Sequence, residues 1–161
     1  IKIGVAKNQA LFEMDNCKIV TRLLDGEFLN YSSVIPENWE TRIRVNKDVI
    51  QNCFERISLI SSSSIEKEKK YPVKVMIDIG KVTISCTNQT GDAKEELFVS
   101  TEGKNLEAGF NPKYFLDVLR SIDDEEVFID LGTSISPCII KSVEETGDYK
   151  YMILPIRLKN D

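Results

Sequence analysis

Histidine is absent from this sequence of 161 residues. Its absence removes the commonest general base, the usual partner of a Ser or Cys nucleophile and the commonest zinc ligand. The four cysteines are widely spaced and form no CxxC pair, which excludes a local metal knuckle and a thioredoxin-type redox motif. We interpret them as free thiols that behave as small hydrophobes, and this favours a reducing, cytoplasmic compartment.

Long apolar runs and targeting signals are also lacking. No stretch is long enough for a transmembrane helix, and residues 1–5 do not have the charged and then apolar build of a signal peptide. The eight glycines form neither a P-loop nor a GxGxxG fingerprint. The acidic run at residues 123–126 lies in a turn, without the apolar surroundings that general acid catalysis needs. We therefore predict no enzymatic activity, no metal site and no cofactor.

The net charge of −5 is unevenly distributed. Residues 123–126 are all acidic, and a second acidic turn contains Glu144, Glu145 and Asp148. The rest of the chain therefore carries a small positive excess. Two interpretations remain open: the acidic turns are ordinary solvated loops, or they face one way while a mildly positive surface faces another.

One pattern of residues occurs twice. Residues 41–45 alternate like a strand, Asn46 follows as a helix N-cap, and apolar residues then recur at helical spacing up to Ile57. Residues 106–110, the cap Asn111 and a second apolar stripe up to Ile122 repeat this order. Three strands are predicted after each helix, at 73–78, 82–87 and 95–100 and then at 127–131, 138–142 and 149–156. This duplication predicts an α+β fold with two helices on one face of antiparallel sheets.

The chain divides into two parts. A hairpin with its turn at Asp15-Asn16 and a linker over 27–40 precede the duplication. Too few residues precede the linker to bury a core. We therefore predict that residues 1–36 are the end of one domain plus a linker and that residues 37–161 are a complete second domain. The polar run 61–70 is predicted to be a surface connection.

The C-terminus is unusually apolar. Residues 151–158 are nearly all large and apolar, and the chain ends three residues later. Pro155 cannot donate to a β-ladder, so it belongs at an edge or at the end of a strand. A buried final strand is one interpretation, and an exposed apolar edge that binds a partner is the other.

This ending resembles the Tyr-Val-Val-Met-Pro-Met-Arg-Leu terminus of the bacterial DNA polymerase III beta subunits, the beta sliding clamps. Further motifs of this family recur in order at residues 22–28, 31, 34–36, 80–85, 95–97 and 109–119. The resemblance implies the DNA clamp fold, with residues 1–36 as the end of clamp domain II and residues 37–161 as domain III. Leu29-Asn30 and Ser32-Ser33 depart from the family's usual Pro-Asp and paired arginines.

The resemblance also implies a function. Two full-length protomers would form a homodimeric ring around duplex DNA, without sequence preference, and act as the processivity factor of the replicative polymerase. The polymerase III alpha subunit, the clamp loader, other polymerases and repair proteins would bind through short Leu- and Phe-containing motifs. We expect no membrane partner. The alternative is a stand-alone peptide-binding module without ring or DNA.

Three groups of site residues follow from the resemblance. A hydrophobic cleft for partner peptides would contain Val34, Asn111, Tyr114, Ile135, Pro137, Met152, Ile153, Leu154, Pro155, Ile156, Arg157 and Leu158. The dimer interface would contain Leu59, Ile60, Asp92, Glu95 and Glu96. The candidates on the DNA-facing helices are Lys47, Arg56, Lys113 and Arg120. The exposed charges sum to zero on the first helix and to +1 on the second, so neither helix resembles a basic recognition helix.

Overall fold

The computed structural model describes residues 1–62, 72–144, 147 and 149–158. It divides the chain into two compact units, Ile1–Val34 and Ile35–Asp161. The predicted surface connection lies outside the described residues beyond Ser62, as do Glu145, Asp148 and the last three residues of the chain.

The first unit is a three-stranded antiparallel sheet. Its strands are β1 (Lys2–Val5), β2 (Gln9–Met14) and β3 (Cys17–Arg22), in the order β1-β2-β3. The predicted hairpin joins β2 to β3, and Asp15 turns the chain with a φ of 38°. Aspartate tolerates this left-handed conformation better than most side chains. A short 3-10 helix at Tyr31–Ser33 follows the sheet.

The second unit contains the predicted duplication. Its elements, in chain order, are β4 (Thr41–Asn46), α1 (Lys47–Ser62), β5 (Val73–Asp78), β6 (Lys81–Asn88), β7 (Gly91–Phe98), β8 (Ser100–Gly103), β9 (Leu106–Phe110), α2 (Pro112–Leu119), β10 (Glu126–Leu131), β11 (Cys138–Ser142) and β12 (Lys150–Ile153). Apart from β8, they form two strand–helix–three-strand repeats.

The two repeats exchange their first strands. One antiparallel sheet has the order β12-β11-β10-β4-β8, and the other has the order β7-β6-β5-β9. The first strand of the first repeat, β4, pairs with β10 of the second repeat, and β9 of the second repeat pairs with β5 of the first. Each sheet therefore contains strands of both repeats.

The helices close the core between the two sheets. α1 contacts strands of both sheets, and it also packs against α2. The Phe54 and Phe115 rings stack at 4.4 Å, and the Phe110 ring meets Phe115 edge-on at 5.1 Å. All three rings are almost completely buried. Offset and edge-on aromatic pairs add to the free energy gained by burying their area.

Both predicted helix caps are present. The Asn46 side chain accepts a hydrogen bond from the Val49 N–H at 3.1 Å, and Asn111 accepts one from the Lys113 N–H at 3.1 Å. Pro112 occupies the first helical position, where its missing N–H leaves no donor unpaired. These caps satisfy N–H groups that have no partner within the helix.

Three of the four cysteines are buried and free, as predicted for small hydrophobes. Burial raises the pKa of the Cys53 thiol to about 12, and it also raises the pKa of Cys86 and Cys138. Their thiols therefore stay neutral and unreactive. Cys17, on β3, is exposed.

The structure corrects the predicted strands of the second unit in three places. The third strand after the first helix was predicted at 95–100, but β7 runs over Gly91–Phe98. β8 was not predicted, because its sequence Ser-Thr-Glu-Gly has no apolar alternation; it lies at the edge of its sheet beside β4. The last strand was predicted to run over 149–156, but its ladder with β11 covers Lys150–Ile153. The chain leaves this ladder at Leu154, next to Pro155.

Candidate functional site

The C-terminal segment 154–158, here called the tail, crosses from one sheet to the other. β12 is an edge strand of the five-stranded sheet, and β9 is an edge strand of the four-stranded sheet. After β12 ends, the Ile156 N–H donates a hydrogen bond to the Gly109 carbonyl on β9 at 2.7 Å. The tail therefore joins the edges of the two sheets.

Gly109 permits this close approach. A Cβ atom at this position would lie 2.7 Å from the Ile156 carbonyl oxygen and 2.7 Å from Leu158 Cδ2. A leucine methyl can move aside, but the carbonyl belongs to the backbone that carries the bridging hydrogen bond. Glycine is therefore required by the close contact between two backbone segments.

Exposed apolar side chains lie on the tail and on the elements next to it. Five of them, here called the apolar rim, are Tyr114, Ile135, Met152, Leu154 and Ile156, with exposed fractions of 52%, 68%, 38%, 60% and 40%. They come from the first turn of α2, the turn between β10 and β11, the end of β12 and the tail itself. Clustered apolar exposure of this kind is typical of an interaction site.

The sheet register and one turn bring these segments together. Cys138 pairs with Ile153 at the end of the ladder between β11 and β12, so the turn before β11 and the start of the tail lie at the same end of this ladder. The turn before β11 is closed by a hydrogen bond from the Ser136 N–H to the Thr133 carbonyl at 3.2 Å. Ile135 is at the exposed tip of this turn.

The remaining predicted cleft residues differ in exposure. Ile153 is 2% exposed and belongs to the core, so its side chain does not line a surface, and the prediction is corrected there. β12 alternates, and Ile153 takes an inward position next to outward Met152. Asn111, Pro137, Pro155 and Leu158 are half-buried, and Arg157 is exposed. Val34 is an exposed residue of the first unit.

The candidate helix cations mostly have carboxylate partners already. Lys47 Nζ contacts Asp48 Oδ1 at 2.9 Å, and Arg120 Nη2 donates to Glu55 Oε1 at 3.0 Å. Arg56 binds the Glu95 carboxylate through both Nε and Nη2. Within the described part of the chain, no carboxylate lies within salt-bridge distance of Lys113, which is exposed.

The predicted interface residues lie at one edge of the four-stranded sheet, on and beside β7. Leu59 is 68% exposed near the end of α1, whereas Ile60 packs against the core. Asp92 is exposed on β7. The Arg56 guanidinium holds the pKa of Glu95 below its usual range, and Lys94 and Lys81 do the same for Glu96. Both carboxylates are therefore charged and paired with cations.

The described residues contain no group of three or more His, Cys, Asp or Glu side chains placed to hold a metal ion. Among the same residues, no helix has the length and apolar character needed to span a membrane. Sequence reasoning missed the close contact of the tail with Gly109 and the pairing of Glu55 with Arg120. Gly109, two residues before the predicted cap Asn111, was the only local signal for the first. The second had no local signal, only the 65-residue offset between the two repeats.

Comparison with known proteins identifies the class of molecule. The sequence matches the family model for the C-terminal domain of the DNA polymerase III beta subunit over residues 32–157. The chain belongs to this family. This membership confirms the predicted relationship and also the prediction that the chain is an accessory, non-catalytic component.

Two annotated relatives are the beta sliding clamps of Staphylococcus epidermidis, 31% identical, and Staphylococcus aureus, 30% identical, each over 159 residues. These matches cover 98% of this chain and 41% of each relative, so the chain spans about two-fifths of their length.

Solved structures agree with this assignment. A putative DNA polymerase III beta subunit from Eubacterium rectale superposes with a TM-score of 0.84 at 32% identity, and the beta subunit from Thermotoga maritima with 0.82 at 30%. Each match covers 97% of this chain and 41% of the other. The predicted α+β sliding-clamp fold is confirmed.

Substituting Gly109→Ala should detach the tail. The added Cβ conflicts with the Ile156 carbonyl, so we expect a loss of about 1–3 kcal/mol in the free energy of unfolding. The Ile156 amide should also exchange its hydrogen faster. Urea unfolding followed by circular dichroism and amide hydrogen exchange measure these effects. Gly4→Ala is the control, because its Cβ would meet Leu11 at an ordinary 3.9 Å. Unchanged protection of Ile156 would contradict this account of Gly109.

Proposed function

We propose that this chain is part of a sliding clamp that encircles duplex DNA and tethers the bacterial replicative polymerase to it. The observation that carries the proposal is the apolar rim beside the tail, in a chain that belongs to the beta subunit family. The clamp acts by topology and by partner binding rather than by bond chemistry. Its place of action is the bacterial cytoplasm, where the chromosome is replicated.

The apolar rim suits a short peptide with Leu and Phe anchors. Leu154, Ile156 and Ile135 offer aliphatic walls, and the flexible thioether of Met152 adapts to different side chains. The Tyr114 hydroxyl and the Arg157 guanidinium supply polar contacts beside them. Burying each anchor contributes about 1.5–3 kcal/mol, from which the cost of ordering the peptide is subtracted. The resulting modest affinity suits partners that replace one another, such as the polymerase alpha subunit, the clamp loader and repair proteins.

The edge strand β7 supports the ring. It pairs with β6 on one side, and in the described part of the chain no strand pairs with its other side. An open edge can accept a strand from another protomer. Exposed Leu59 and Asp92, with the paired Glu95 and Glu96, would flank that junction in a homodimeric ring. In this proposal residues 1–36 end clamp domain II and residues 37–161 form domain III.

A stand-alone peptide-binding module is the second candidate. The same apolar rim supports it, since the rim requires neither ring nor DNA. The two candidates differ in how the protein is retained on DNA, and the first experiment below therefore tests the ring and the second tests the rim.

Linearising the DNA should release the clamp. The full-length protein that contains this chain, loaded onto a nicked circular plasmid by its clamp loader, should stay bound through gel filtration and dissociate once a restriction enzyme cuts the circle. The control is the same circle incubated with heat-inactivated restriction enzyme. Retention that depends on salt concentration alone, and is unaffected by linearisation, would contradict the ring. A protein that is not retained on the circle at all would favour the stand-alone module.

Substituting Leu154→Ala should weaken peptide binding. The shorter alanine side chain buries less apolar surface of the peptide's Leu and Phe side chains. We therefore expect roughly tenfold weaker binding of a synthetic peptide ending in Leu-Phe. Fluorescence anisotropy with a labelled peptide measures the affinity. Leu59→Ala is the matched control, because Leu59 is as exposed as Leu154 but lies on α1. Equal affinities of the Leu154→Ala variant and the unchanged chain would remove the rim as the peptide site.

A further inference from the structure

Arg120 and Glu55 join the two helices on their exposed side. Arg120, the C-cap residue of α2, donates from Nη2 to Glu55 Oε1 on α1 at 3.0 Å. The same carboxylate oxygen accepts a hydrogen bond from Gln51 Nε2 at 3.3 Å. The Arg120 side chain is 56% exposed and that of Glu55 is 39% exposed, so solvent and solutes reach the pair.

Arg56, the next residue along α1, is held by a second carboxylate. Its guanidinium binds Glu95 on β7 in a two-pronged arrangement, with Nη2 to Oε2 at 2.5 Å and Nε to Oε1. Two parallel N–H···O bonds fix the plane as well as the position of an arginine side chain. The Arg56 guanidinium therefore points along the protein surface, toward β7.

The Arg120–Glu55 pair follows from the duplication. The two residues are 65 positions apart, which is the spacing that separates the cap Asn46 from the cap Asn111. They are therefore equivalent positions in the two repeats, occupied by opposite charges. Because α1 packs against α2, these two equivalent positions face each other, and the Glu55 carboxylate pairs with the Arg120 guanidinium.

We propose that Glu55 and Glu95 restrain Arg120 and Arg56, so that the helix surface meets DNA phosphates with fewer free cations than its sequence contains. This inference rests on the proposed function and on the resemblance to the beta sliding clamps, which implies that the two helices face the DNA. A free arginine that reaches a phosphate releases a counterion and makes binding tighter and more salt-dependent. An arginine already held by a carboxylate must leave that partner first. The helix surface therefore binds the duplex weakly, and the clamp can move along the DNA.

The substitution Glu55→Gln tests the restraint on Arg120. Glutamine keeps the size of the side chain and removes its charge, which frees the guanidinium. For the 161-residue chain we expect roughly two- to fivefold tighter binding to a mixed-sequence duplex at low salt. The plot of log K against log salt concentration should be steeper by about 0.9. Fluorescence anisotropy over a salt series measures both. The double variant Glu55→Gln with Arg120→Gln should return to the binding of the unchanged chain.

Glu107→Gln is the matched control. It removes the same charge and breaks another exposed ion pair, with Lys74 at 3.1 Å. Lys74 lies on the outer face of its sheet, because its neighbours Val73 and Val75 point into the core beneath the helices. We expect no gain in DNA affinity for this variant. An equal gain for Glu107→Gln would reflect overall charge and would overturn the proposal.

The ring and the restraint of Arg120 by Glu55 can be tested separately. If the full-length protein leaves linearised circles but Glu55→Gln binds duplex DNA like the unchanged chain, the ring stands and the restraint by Glu55 is wrong. If linearisation releases nothing, the ring is wrong and this inference is lost with it.

Discussion

The exchange of first strands between the two repeats is the constraint on which the second unit depends. β4 completes the sheet of the second repeat and β9 completes the sheet of the first, so each sheet is complete only when both repeats contribute to it. This exchange brings α1 and α2 side by side and stacks Phe54 on Phe115. It also makes β9 an edge strand, and Gly109 on that edge receives the tail. The apolar rim is therefore a consequence of the same topology.

Much of this fold could be predicted because its signals are local. The helical stripes, the caps Asn46 and Asn111 and most strands follow from periodicity and capping chemistry within short windows. β8 could not be predicted, since its four polar residues pair with β4 at a sheet edge and bury little. The length of β12 was overestimated, because apolar residues continue to Leu158 although the ladder ends at Ile153. Composition does not show at which residue a strand stops pairing with its neighbour.

The features of the candidate site also differ in whether local sequence could predict them. The exposed apolar C-terminus was recognisable from Pro155 and its neighbours, and family membership supports a clamp. Burial of Ile153 could not be separated from exposure of Met152 until the register with β11 was known. The pairs Arg120–Glu55 and Arg56–Glu95 join residues far apart in sequence, and only the packing of the repeats brings them together. Two of the four candidate cations on the helices, Arg56 and Arg120, are therefore already held by carboxylates.

The central claim is that the tail and the two turns beside it form the surface that binds a partner. Hydrogen exchange with mass spectrometry, performed on the chain with and without a saturating peptide that ends in Leu-Phe, tests this most directly. The account predicts added protection in peptides that cover residues 111–115, 133–138 and 151–158, and little change along β7. Protection confined to β7 or to the first unit, with the tail unchanged, would contradict it.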